Sequence, residues 1–85
     1  MNAEKIKLTV TIIPLDSGQR KRLGYIIQAV DRAVSRIDGH TDADISAGIK
    51  IACDAFFRGE SAATAIEMGY QYAKQLISQR RTEIR

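Results

Sequence analysis

Few side chains in this sequence are equipped for bond-making chemistry, and their spacing argues against most of it. There is one cysteine, Cys53, and one histidine, His40. A reactive thiol needs a neighbouring base or cation to hold its thiolate. Cys53 stands among Ala52 and Ala55, the setting of a small buried hydrophobe, and His40 follows Gly39 in what reads as a turn. A zinc site needs about four Cys, His or carboxylate donors, so no metal and no cofactor is expected. Asp42, Asp44 and Asp54 supply carboxylates, but their offsets along a helix do not converge two of them on one substrate as acid and base. The glycines Gly18, Gly24, Gly39, Gly48, Gly59 and Gly69 are too dispersed to form a phosphate cradle. No catalytic residue is assigned, and the expectation is a binding protein rather than an enzyme.

Two polar sets are regular enough to bind something. Lys5, Lys7, Thr9 and Thr11 alternate with Ile6, Leu8, Val10 and Ile12, the period-2 pattern of a half-buried strand. The second set is the run Arg20-Lys21-Arg22. On a helix those three side chains fan over about 200°, so no single face carries them all. Both sets also have a plain reading. Lysines on an edge strand discourage aggregation, and a short basic run is commonly solvated surface. Tyr25, Tyr70 and Tyr72 read as packing residues rather than stacking platforms.

The elements that hold these residues follow from capping and periodicity. The alternating run gives a strand at 5–12, stopped near Pro14, which has no N–H for a ladder. Asp16 stands three residues before Gln19, a capping-box spacing. Leu23, Ile26, Ile27, Val30, Val34 and Ile37 then keep helical period, and Gly39 offers a stop, predicting a helix over 16–38. Thr41 and Asp44 open a second helix over 41–58, closed by Gly59 and striped with Ile45, Gly48, Ile49, Ala52 and Phe56. Ile45, Ala47, Ile49, Ile51 and Cys53 also alternate, so a second strand at 45–53 stands as the rival reading. A third helix spans 61–79, with Ala62, Ala65, Ile66, Gly69, Ala73 and Leu76 or Ile77 inward, and the charged tail 80–85 is expected to fray. The small residues on the last two helices predict close packing between them.

The expected fold class is thus mainly α with one N-terminal β-strand, β-α-α-α, within a single domain covering 1–85. A βαβα arrangement is the alternative. A single strand leaves its backbone groups unpaired. The simplest closed solution is a homodimer in which two copies pair antiparallel, with Ile6, Leu8, Val10 and Ile12 at the dimer interface. Lys5, Lys7, Thr9 and Thr11 from both chains would then share the outer face of a two-stranded ribbon, a shape that fits the major groove of DNA.

Charge and composition set the bounds. The 85 residues are 45% hydrophobic and 27% charged, ordinary for a folded domain. No apolar run is long enough to cross a bilayer. The N-terminus lacks a signal peptide's apolar stretch, so a cytoplasmic location with no membrane partner is expected. The net charge of +3 sits wholly in the first half: residues 1–40 carry seven cations against four anions, and the rest balances. That excess permits a polyanionic partner.

The order strand, helix, turn, helix resembles the ribbon-helix-helix DNA-binding proteins over residues 5–58. The stretches that carry the likeness are Leu8-Thr9-Val10-Thr11-Ile12-Ile13-Pro14 and Thr41-Asp42-Ala43-Asp44-Ile45 through Ala52. The resemblance implies a homodimeric DNA-binding protein, a small transcriptional repressor or accessory factor. Lys7, Thr9 and Thr11 would face bases in double-stranded DNA. The start of the second helix near Thr41 would hold a phosphate, and Lys5, Arg20, Lys21 and Arg22 would add affinity. A different class competes: a small phage- or plasmid-encoded interaction or inhibitor module that binds a host protein and not DNA.

Overall fold

A computed structural model describes residues 15–84. They form three helices: α1, Ser17–Ser35; α2, Asp42–Phe57; and α3, Ala62–Ile84. Local chemistry sets their ends. Asp16 caps α1 through a full capping box: the Gln19 N–H donates to Asp16 Oδ1 (2.7 Å), and the Asp16 N–H donates to Gln19 Oε1 (3.1 Å). Thr41 and Asp44 build the same device on α2. Ser61 caps α3, its hydroxyl accepting from the Thr64 N–H at 3.1 Å. Gly59, at φ +101°, closes α2. There the Glu60 N–H donates to the Ala55 carbonyl and the Gly59 N–H to the Phe56 carbonyl, the paired bonds of a left-handed helix stop.

The helices meet in pairs, each touching both others. α2 and α3 run antiparallel, with Asp44 against Arg80, and Gly48 against both Gly69 and Ala73. The fully buried side chains are Ile26, Val30 and Val34 of α1, Ala52 and Ala55 of α2, and Ala65, Ala73 and Ile77 of α3. Most of the bulk comes from α1 and most of the small residues from α2 and α3. The aliphatic ridge of α1 therefore lies against two helices whose backbones approach closely. A Cβ built on Gly48 would stand 2.9 Å from the Gly69 carbonyl oxygen and 3.2 Å from Val30 Cγ1. The close packing expected from the small residues is thus realised at a glycine–glycine crossing.

The expected β-α-α-α architecture is corrected here. Residues 15–84 contain helices and no strand, and they close a core among themselves without a sheet to pack on. The βαβα alternative falls as well. Residues 45–53 lie inside α2, where the Thr41 cap and the Gly59 stop bracket the run, and Gly48, Ala52 and Ala55 form a helical seam. The strand expected at 5–12, with its interface residues Ile6, Leu8, Val10 and Ile12, lies outside the described residues.

Two boundaries also move. α1 ends at Ser35 rather than near 38, with Arg36 as its C-cap. Gly39, at φ +87°, serves the turn that follows instead of stopping the helix. Residues 80–84, expected to fray, continue α3 because Arg80 and Arg81 are anchored on that turn. The Arg81 guanidinium donates to the Asp38 carbonyl at 2.7 Å, and that of Arg80 donates to the Gly39 carbonyl at 2.9 Å.

Candidate nucleic-acid interface

The chain's positive charge gathers on α1. From Ser17 to its C-cap, this helix carries Arg20, Lys21, Arg22, Arg32 and Arg36 against one anion, Asp31. All five cations are exposed. The ion pairs among the described residues are Lys50–Asp54, Arg80–Asp44 and Arg81–Asp38, so no described anion pairs directly with a cation of α1. Asp31 instead accepts from the Ser35 hydroxyl at 3.1 Å.

Helical geometry sorts these charges by face. Steps of three and four residues turn a helix by about 300° and 400°, which places Arg22, Tyr25, Ala29, Arg32 and Arg36 within an arc of about 80°. The buried Ile26, Val30 and Val34 lie to one side of that arc, Ile26 about 40° from Arg22 and Val34 about 120°, and Asp31 lies on the opposite flank. The basic run thus divides: Arg22 joins the stripe, Lys21 borders it about 20° from Arg32, and Arg20 points elsewhere. Asp16 at the N-cap offsets the unfavourable end of the helix dipole for the run, and Arg32 in the last turn sits where the dipole favours a cation.

Tyr25 stands in the middle of the stripe with 63% of its surface exposed. The expectation that it packs inward is therefore overturned, and Tyr70 alone of the three tyrosines is half-buried against the core. Tyr25, Gln28, Ala29, Arg32, Ala33 and Arg36 line an open groove of about 260 Å³ along α1. The two alanines make its floor, and the longer side chains make its rim.

Lys5, Lys7, Thr9 and Thr11 lie outside the described residues. Arg20, Lys21 and Arg22 are exposed on the N-terminal half of α1. Thr41 caps α2, but that helix end already has an anion in place. The Thr41 N–H donates to Asp44 Oδ2 at 2.8 Å, and the Asp44 N–H donates to Thr41 Oγ1 at 3.3 Å. A phosphate there would compete with the chain's own buried carboxylate. Arg32, Arg36 and Tyr25 were missed, although their three- and four-residue spacing from Arg22 was readable.

Asp44 itself belongs to a structural clasp. Its side chain is 3% exposed and receives both arms of the Arg80 guanidinium, at 2.9 Å on Oδ1 and 2.6 Å on Oδ2. These bonds from Arg80, helped by the Thr41 N–H, hold the carboxyl well below the usual carboxylate range, with burial opposing them.

The described residues assemble no catalytic set. His40 is turned into its own loop, its Nδ1 lying 2.8 Å from the Ile37 carbonyl as a hydrogen-bond partner. Cys53 sits half-buried about 16 Å along α2 from the start of that helix. Burial first, and then the neighbouring Asp54 carboxylate, push its thiol up, away from the reactive thiolate. Among the described residues no three His, Cys, Asp or Glu side chains gather as metal ligands, and no helix is long and apolar enough to cross a membrane.

No protein-family model, curated protein or solved structure matches this chain.

Proposed function

We propose that this protein is a small nucleic-acid-binding module, not an enzyme, and that it grips phosphates with α1 rather than with a ribbon. The observation that carries the reading is the stripe of Arg22, Arg32 and Arg36 on one exposed face with no described anion in ion-pair contact with it. Isolated surface cations are ordinary, but an aligned set around an exposed aromatic is the footprint of a polyanion site. Arg suits the task because its planar guanidinium bonds phosphate oxygens in pairs and stays charged at any physiological pH. A regulatory role on DNA and a cytoplasmic location are uses consistent with such a surface.

The test is fluorescence anisotropy with a labelled random-sequence 20-mer at about 50 and 200 mM salt. Three or four phosphate contacts predict an affinity loss of roughly 40- to 150-fold over that range for a duplex 20-mer, and roughly 20- to 50-fold for a single-stranded one. The double variant Arg32→Glu, Arg36→Glu should bind at least about tenfold more weakly at low salt while keeping its helical circular dichroism. Wild-type affinity in that variant would remove the stripe from the binding surface.

A second reading, docking to a host protein, is favoured by Phe57. It is 60% exposed at the end of α2 and meets Phe56 edge-on with ring centres 5.6 Å apart. Gln19, Arg22, Phe56, Phe57, Gly59 and Glu60 line a second groove of about 300 Å³. Salt separates the two readings, since an apolar contact through Phe57 responds weakly to ionic strength.

A further inference from the structure

We infer that the α1 groove takes single-stranded nucleic acid, with Tyr25 stacking on an unpaired base while Arg32 and Arg36 hold the strand's phosphates. The inference rests on the reading of α1 as a phosphate-binding surface and names the class of strand it takes.

Tyr25 lines one end of the groove and Arg36 the other, eleven positions on, about 16 Å along the helix. With most of its area in solvent, the Tyr25 ring has a face open to a ligand. The described aromatic pair is Phe56–Phe57 and the described cation over a ring is Lys74 over Tyr70, so neither uses Tyr25. Stacking needs that kind of free face beside a cationic track. Gln28, three residues on, follows the ring along the rim and offers an amide that both donates and accepts to a base edge. The Ala29 and Ala33 floor leaves room beside the ring, where a larger side chain would fill the groove.

The same arrangement disfavours a duplex. In paired DNA the faces of the bases are stacked on one another, and a side chain reaches them only if a base is extruded at a cost. In a single strand they are already available. Phosphate contacts alone would serve either form, so Tyr25 is the residue that separates them.

The experiment compares three labelled 15-mers at low salt: oligothymidylate, an abasic chain with the same phosphates but no bases, and a mixed-sequence duplex. Wild-type protein should prefer oligothymidylate over the abasic chain by about tenfold. Tyr25→Ala should erase that preference and leave abasic and duplex binding unchanged. Tyr25→Phe should retain it, because the ring and not the hydroxyl does the stacking. Equal wild-type binding to all three probes, with the usual salt response, overturns the stacking inference and leaves the phosphate-binding reading intact. A Tyr25→Phe variant as weak as Tyr25→Ala also overturns it, since the hydroxyl would then make the contact. Absence of binding to every probe overturns both. Circular dichroism on the variants, all at an exposed position, confirms that the fold is kept.

Discussion

Gly69→Ala is expected to destabilise this protein by about 2 kcal/mol, and Gly24→Ala to stabilise it by up to about 1 kcal/mol. The substitutions are chemically the same, and the opposite signs follow from what each new methyl group meets. Alanine in a helix interior is favoured over glycine by about 0.8–1 kcal/mol through backbone entropy. At Gly24, an exposed position of α1, a Cβ has nothing within 4 Å, so that gain appears undiminished. At Gly69 the Cβ lands on the Gly48 carbonyl oxygen and within 2.9 Å of Ala52 Cβ. Neither obstacle is a side chain that can rotate away. α2 and α3 must move apart, which opens the contacts of Ala52 and Ala73 and loosens the seat of Val30. Overpacking of this kind costs about 1–3 kcal/mol, and the rigid obstacle places Gly69 at the upper end before the helix gain is deducted. Thermal unfolding followed by circular dichroism should show Tm falling by about 10 °C in Gly69→Ala and rising by about 4–8 °C in Gly24→Ala. A Gly69→Ala protein as stable as the parent would mean that the two helices do not cross at this point.

How much of this was legible in the sequence depended on how local the signal was. The capping boxes at Asp16–Gln19 and Thr41–Asp44 and the stop at Gly59 work within a few residues, so the start of each helix and the end of α2 could be read within a residue. The small residues of α2 and α3 announced a close approach. The extent of α3 was not readable, because what keeps residues 80–84 helical is the grip of Arg80 and Arg81 on a turn some 40 residues earlier. Asp44 looked like a helix-opening residue and nothing more, since its guanidinium partner is 36 positions away. The end of α1 was misjudged for the converse reason: Gly39 signals a stop locally, but its left-handed backbone shapes the turn that Arg80 binds. The basic stripe shows a different failure. Arg20-Lys21-Arg22 is conspicuous as a run, yet a run fans around a helix, whereas residues 22, 25, 29, 32 and 36 share a face. The helical period shows that the run spreads over the surface, and extended to the cations further along α1 it aligns Arg32 and Arg36 with Arg22.

Arg80→Met is expected to lower Tm by about 10 °C at pH 7, and by much less near pH 3. Methionine keeps the apolar stem that covers Asp44 but removes the guanidinium, leaving a carboxylate that is 3% exposed with the Thr41 cap as its remaining partner. A buried charge stripped of its partner costs far more than the intact pair contributes. The pH dependence follows from the direction of the shift. In the parent, the Asp44 pKa is depressed below its ordinary 3.8. Its contribution is therefore complete above about pH 4 and drains away as the pH falls from there toward the native value. In Arg80→Met the largest lowering influence is gone and the Thr41 bonds alone oppose burial, so the pKa rises from its depressed position and protonation in acid relieves the strain. The two stability curves must converge on acidification, one by losing a favourable charge pair and the other by losing an unfavourable lone charge. Asp44→Asn supplies the control: with no carboxyl at this site, its Tm should lose the part of the acid dependence between pH 4 and 2 that Asp44 gives the parent. Parallel Tm-against-pH curves for the parent and Arg80→Met would show that the guanidinium does not set the charge state of Asp44. Convergence would show that the guanidinium sets the charge state of Asp44, so that one ion pair closes the end of α3 onto the start of α2 while the same Arg80 bonds the Gly39 carbonyl in the turn that follows α1.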